Sequence, residues 1–382
     1  MPGLLLTGAT GLLGSYVLRD CLRAGLPIAV LVRPTRRATA SERVEGLLRP
    51  WEGETGHDMP RPVVLEGDLN EPSLGLDDAG RRWLAGHCDA ILHSAASLSF
   101  QEEADGEPWR TNVAGTGRLL QLARQTGIRR FHHVSTAYVC GLRHGTVRED
   151  ELDVGQVLGN AYEHSKLQAE AMVRNAPFLD VVTVYRPSII VGDSRTGHTT
   201  SFHGFYTPLR IAAAMVQANL IRSVPERPFH DGLAMTGRER KNFVPVDWVS
   251  AVLTRIVGRP PFHGRTYHLT NPQPTPVQLM YETMLEALVA RAAAPNGRSD
   301  QAGPSQQELD QLFRKQLAVY QSYWRDDPAF DATHSTAAVP ELPCPVLDRA
   351  TLRRLIDFAL DSNFGWPAPA SRFAKAHTAL SR

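Results

Sequence analysis

The run Leu4-Leu5-Leu6-Thr7-Gly8-Ala9-Thr10-Gly11-Leu12-Leu13-Gly14 constrains the fold more than any other stretch of this chain. An apolar segment breaks into glycines and resumes with apolar residues at helical spacing (Leu12, Leu13, Tyr16, Val17, Cys21), which predicts a strand, a tight turn and a helix. Such a turn aims unpaired backbone N–H groups and the positive end of the helix dipole at an anion. In a dinucleotide site Gly8 permits the turn, Gly11 the close approach of a pyrophosphate and Gly14 the packing of helix on strand. Glycines at this Gly-x-x-Gly-x-x-Gly spacing also occur in ordinary turns, so the next strand has to decide.

Pro27 to Val32 is apolar apart from its first residue, as expected of a parallel strand buried on both faces, and it delivers Arg33 19 residues after Gly14. At that position an acid would take a ribose 2′-hydroxyl, whereas arginine takes a 2′-phosphate. Arg33, Arg36 and Arg37 lie close together, with no Asp or Glu between residues 27 and 40, so NADP(H) is the expected cofactor; the alternative is a solvated basic loop.

With 382 residues, 42% hydrophobic and 21% charged, the chain can form one large α/β unit with a smaller appended region. A net charge of +1 without a block of like charges argues against a nucleic-acid partner. The four cysteines, Cys21, Cys88, Cys140 and Cys344, are scattered, which suggests neither a zinc site nor a disulfide framework and fits a cytoplasmic setting. The Leu4 to Leu13 run lacks a basic leader and is broken by glycines, unlike a signal segment, and no stretch approaches the ~18 to 20 apolar residues of a membrane span.

Strands are further expected at 63–65, 89–93, 130–135 and 181–185, alternating with helices at 40–48, 107–126 and 159–174 and with a Pro/Gly-rich connection at 50–62. This alternation predicts an α/β fold built on a doubly wound parallel (Rossmann) sheet, with ligands at the strands' carboxyl edge. The expected core is 1–192, with returning elements around 243–272; residues 193–382 form a smaller, mixed substrate-binding region, with a polar linker at 292–306 and helices at 307–323 and 348–363. Asp68 follows the third strand, where a carboxylate accepts from the adenine amino group or else caps a turn. Ser94, Ala95, Ala96 and Ser97 end the fourth, as cofactor floor or as close packing. Asn112 sits in mid-helix, facing solvent or holding a water in a proton relay.

Tyr162 and Lys166 are spaced i, i+4 and share one helix face, so the lysine is expected to pull the tyrosine pKa down from ~10 toward a range useful for proton transfer. Thr136, after the fifth strand, offers a hydroxyl to the substrate oxygen.

With these residues placed, the chain resembles the extended short-chain dehydrogenase/reductases, and within them the thioester-reductase and fatty-acyl-reductase ("male sterility") group. The resemblance rests on Thr7 to Gly14, Leu31-Val32-Arg33, Gly67-Asp68-Leu69 with Pro72 and Leu74-Gly75-Leu76, Ser135-Thr136-Ala137-Tyr138-Val139 and Asn160 to Lys166. It continues through Arg186-Pro187-Ser188, Val244-Pro245-Val246-Asp247 and Tyr267 to Pro272. It implies Thr136, Tyr162 and Lys166 as catalytic residues, and it adds Thr10, Leu12, Leu13, Leu69, Val134, Arg186, Pro187 and Ser188 to the expected cofactor contacts, with Tyr162 and Lys166 among them. The implied reaction is hydride transfer from NADPH to an acyl thioester on a carrier protein or coenzyme A, releasing an aldehyde that a second hydride would take to the alcohol.

The resemblance includes no carrier or adenylation region, so a donor in trans is expected, with arginines and histidines of 195–206 and 222–240 as either pantetheine-phosphate ligands or solvated loops. The alternative reaction is that of an NAD(P)-dependent ketoreductase or epimerase of a sugar nucleotide or other small alcohol, against which Arg33 speaks. Cys140 raises the further alternative of an acyl-enzyme, but no basic partner is placed for it. His132, His133, His198 and His203 show no metal-ligand spacing, and no metal is expected. The sequence sets no oligomeric state.

Overall fold

The computed structural model describes residues 3–217, 237–292 and 325–365. The expected linker beyond residue 292, the helix at 307–323 and the loop from Arg222 to residue 236 lie outside these residues. Seven strands, β1 (Gly3–Thr7), β2 (Ile28–Val32), β3 (Val63–Glu66), β4 (Cys88–His93), β5 (Arg130–Val134), β6 (Val181–Pro187) and β7 (Thr266–Leu269), form one sheet in the order β3-β2-β1-β4-β5-β6-β7. Every pairing in it is parallel. The strand order reverses between β1 and β4, and a ligand crevice opens outside the carboxyl ends at such a switch point.

Helices cover both faces, which is why β1 and β2 are buried along their whole length and, apart from Thr7 at the end of β1, apolar. On one face Leu4, Leu6, Val30 and Val32 pack against α1 (Leu12–Arg23), α2 (Ala40–Thr55) and, later in sequence, α7 (Val246–Val257). On the other, Leu5, Ala29, Ile91 and Phe131 meet α3 (Asp78–His87), α4 (Thr116–Thr126) and α5 (Ala161–Arg174). A third apolar cluster, with Phe205, Leu209, Phe243, Met280, Leu352 and Ile356, lies among α6 (Tyr206–Gln217), α8 (Val277–Ala292) and α9 (Arg349–Asp361).

Two local expectations are corrected. The helix expected to stop at residue 48 runs on through Pro50 to Thr55. It starts with a capping box between Thr39 and Glu42 and ends at left-handed Gly56, and its Trp51 is buried edge-on against Tyr16, 5.8 Å between ring centroids. Packing of that indole outweighs the cost of an interior proline. The helix expected from residue 107 begins instead with a π turn, Arg110–Gly115, before α4.

Candidate active site

The glycine turn is shaped by contacts that no side chain would allow. Gly8 has φ +77°, and a Cβ there would stand 2.6 Å from the Ala95 nitrogen; a Cβ on Gly14 would stand 2.0 Å from the Gly8 carbonyl oxygen. Gly11 caps α1, so the N-terminus of that helix opens onto a cleft of about 550 Å³. Gly8, Thr10, Gly11, Leu12, Leu13 and Gly14 line one side of the cleft, with Ser94, Ala96 and Val134 from the adjoining strand ends. Bare backbone at a helix N-terminus, in a turn where Gly8 and Gly14 are too close-packed for a Cβ, fits the pyrophosphate of a dinucleotide.

At the end of β2 the exposed Arg33 guanidinium lies 3.5 Å from Asp68, whose other oxygen accepts from the Asn70 N–H at 2.9 Å. Arg36 and Arg37 are exposed on the following loop. Arg43, on the first turns of α2, reaches back over the same place: it donates to the Thr10 hydroxyl at 3.0 Å and to the Arg33 carbonyl. Partial burial, then the charge of Arg33, lowers the Arg43 pKa. A guanidinium whose charge is disfavoured by a neighbouring one is a ready partner for an anion.

Across the cleft, Thr136 follows β5 by two residues and caps the short turn Ala137–Cys140, accepting from the Tyr138 N–H at 3.3 Å. Asn160 caps α5 by accepting from the Glu163 N–H, and the first turns of that helix carry Tyr162 and Lys166 into the cleft. The Tyr162 phenol and the Thr136 hydroxyl line the same cleft, and Thr136 offsets part of the rise that burial imposes on the phenol. Buried Lys166 donates its ammonium to the Val134 carbonyl at 2.7 Å. The expected electrostatics of this pair are corrected: burial pushes the Tyr162 phenol up to about 12, and burial brings the Lys166 ammonium down to about 8. The lysine's ammonium is directed at a carbonyl, and the phenol's shift is set by desolvation, with Thr136 lowering it and Glu163 raising it. Tyr162 is therefore a neutral hydrogen-bond donor at neutral pH.

Pro187 and Ser188 also line the cleft, but Arg186 does not. Its fully buried guanidinium pairs with Glu170 at 2.7 Å and donates to the Glu151 carbonyl. Leu69 is buried in the core and Ala95 packs against it, neither lining the cleft. Asn112 is buried rather than solvent-facing: its amide accepts from the Ser97 N–H at 2.8 Å and donates to the Ser97 carbonyl and the Ser165 hydroxyl. Both its donors are spent on protein partners, so it pins the segment after β4 to α5 instead of donating to a relay water. Cys140 is buried outside the cleft lining with its thiol pushed up to about 12, a poor nucleophile. His203 lines the cleft, whereas His132 bonds the Tyr185 hydroxyl, His133 is fully buried and His198 contacts Tyr16. Among the described residues no group of three or more His, Cys, Asp or Glu could hold a metal ion, and no helix is long and apolar enough to cross a membrane. Arg195 is exposed and faces Asp193 and Asp247 at 3.8 and 3.9 Å.

Sequence reasoning missed Arg43, which reads as an ordinary helix arginine, and the far wall of the cleft. Ile189, Phe205, Phe243, Val277 and Met280 form that wall, with Tyr138 and Lys241 beside them. Asp327 holds the last two, accepting from the Tyr138 hydroxyl and the Lys241 ammonium, each at 2.9 Å, and from the Asn242 N–H at 2.7 Å. No local pattern signals contacts between residues so far apart in sequence.

A family model described as male sterility protein matches residues 6–253. The terminal R domain from the myxalamid PKS-NRPS biosynthetic pathway matches at TM-score 0.74 and 27% identity, covering 97% of this chain and 93% of that one. A non-canonical nonribosomal peptide synthetase of Aspergillus hancockii, hkm10, is 26% identical over 93% of this chain and 36% of its own length. Aldehyde reductase lnaA of Aspergillus flavus is 29% identical over 92% of this chain and 35% of its own. The chain thus spans about a third of the length of the curated relatives it matches.

Proposed function

The chain belongs to the male sterility protein family, among the extended short-chain dehydrogenase/reductases, and from that premise we propose that it is an NADPH-dependent reductase. Its substrate is an acyl thioester carried by a carrier protein or coenzyme A, and its product the aldehyde. The observation that carries this reading is the gathering of Thr136, Tyr162 and Lys166 in one cleft with the Gly8–Gly14 turn.

When bound, the nicotinamide supplies the hydride. The chain's residues do the rest. Gly8, Gly11 and Gly14 seat the pyrophosphate, while Arg33 and Arg43 take the 2′-phosphate, a role supported by the position of Arg43 between Thr10 of the glycine turn and the Arg33 carbonyl. The Thr136 hydroxyl and the Tyr162 phenol hold the substrate's carbonyl oxygen, and Tyr162, protonated at neutral pH, donates as negative charge gathers there. Lys166 stands within the same wall, where its ammonium orients the cofactor ribose. The thiolate then leaves with little acid help because its conjugate acid has a low pKa. Residues 1–192, with the returning elements of 243–272, form the cofactor half in this reading, and 193–382 the substrate half.

The test is incubation with NADPH, and separately NADH, and a panel of acyl-pantetheine and acyl-CoA thioesters, with products identified by mass. Aldehyde formed faster with NADPH is the expected result. Tightly retained NAD⁺ with no cofactor oxidation on any thioester would instead support a sugar-nucleotide epimerase or ketoreductase.

A further inference from the structure

We infer that the acyl group is uncharged and apolar next to the thioester, so that a chain bearing a free α-ammonium is rejected. The inference deepens the thioester reading and rests on it.

Three observations lead here. Among the described residues, those lining the cleft include no aspartate or glutamate, although they include Lys166 and Lys241. Among these residues an ammonium drawn from water meets two like charges and no counter-ion, and desolvation adds to the cost. Asp327, which holds Lys241 and Tyr138 of the wall, is 4% exposed at its side chain, and its two carboxylate oxygens already accept from Lys241, Tyr138 and the Asn242 backbone. Its carboxylate is committed to groups of the wall and not to a substrate cation. The remaining wall is aliphatic and aromatic: Phe205 and Phe243 stand edge to face at 5.4 Å between centroids, flanked by Ile189, Val277 and Met280. A hydrocarbon or aryl chain matches such a surface.

The cleft therefore separates two kinds of thioester that share the same handle and differ in one group. A pantetheine thioester of 4-methylpentanoate and one of leucine have the same carbon skeleton and differ only in the α-amine. Their kcat/KM values, measured on the full chain with NADPH at pH 6.5 where that amine is protonated, decide the matter. We expect the 4-methylpentanoyl ester to be favoured by at least ~100-fold. In Lys241→Gln the amide still donates to Asp327 but one cation is gone, and the preference should shrink about tenfold. Equal turnover of the two esters, or preference for leucyl, overturns this inference and leaves the thioester reading standing. A preference unchanged in Lys241→Gln refutes the charge argument. Reduction of neither ester, nor of any other thioester in the panel, overturns the thioester reading and this inference with it.

Discussion

Replacing Arg43 by alanine separates a phosphate-binding arginine from a structural one. In the free protein Arg43 makes two hydrogen bonds, to the Thr10 hydroxyl and the Arg33 carbonyl, and its charge is disfavoured by Arg33. Loss of two partly exposed hydrogen bonds costs about 1 kcal/mol each at most, and relief of the repulsion offsets part of that, so the melting temperature should move little. A charge-assisted contact to a phosphate is worth about 1.5–3 kcal/mol, which converts to a rise of about 10- to 150-fold in the Kd for NADPH. The Kd for NADH, which lacks the 2′-phosphate, should change less than about threefold. Titration of nicotinamide fluorescence with each cofactor at fixed ionic strength measures both. Equal weakening of the two would mean that Arg43 holds the glycine turn in place and does not take the phosphate, and a large fall in melting temperature would point the same way.

The buried pair behind the site should dominate stability. Glu170→Ala strands the fully buried Arg186 without its carboxylate and should cost about 3–5 kcal/mol in urea unfolding; Glu170, held below the usual carboxylate range by Arg186 and Arg174 despite burial, is ionised at neutral pH. Gly14→Ala drives a methyl group into the Gly8 carbonyl and should abolish cofactor binding or folding outright, by fluorescence titration and circular dichroism. Burial lowers Lys166 to about 8, so a step that needs its ammonium is fully supported below that pH and lost as pH rises through it. The pH profile of kcat/KM should accordingly be flat near pH 6.5–7 and fall with a midpoint of about 8, and a profile still flat at pH 9.5 would refute the role.

The sheet was legible because its signals are local. Continuous apolar runs for β1 and β2, the glycine turn between β1 and α1, and the i, i+4 spacing of Tyr162 and Lys166 all depend on neighbours in sequence. What depends on burial or long-range contact was not. The sequence places Lys166 beside Tyr162, yet only the fold turns its ammonium to the Val134 carbonyl and desolvates the phenol. Arg186 sits in a motif next to two cleft residues, but Glu170 on α5 draws it to the opposite side. Asn112 is turned inward by the π turn, against the expectation for a mid-helix amide. Pro50 reads as a helix breaker until the packing of Trp51 is known. Asp327 lies 189 residues from the tyrosine it holds.

The central claim is that the Thr136 and Tyr162 hydroxyls receive the oxygen of a carbonyl being reduced. Tyr162→Phe tests it most directly, since it removes one oxygen and keeps the ring that stands 5.9 Å from Phe100. Single-turnover reduction of a thioester by prebound NADPH should slow by at least ~100-fold while the Kd for NADPH stays within about threefold of the native value. Turnover at the native rate in that variant would contradict the account.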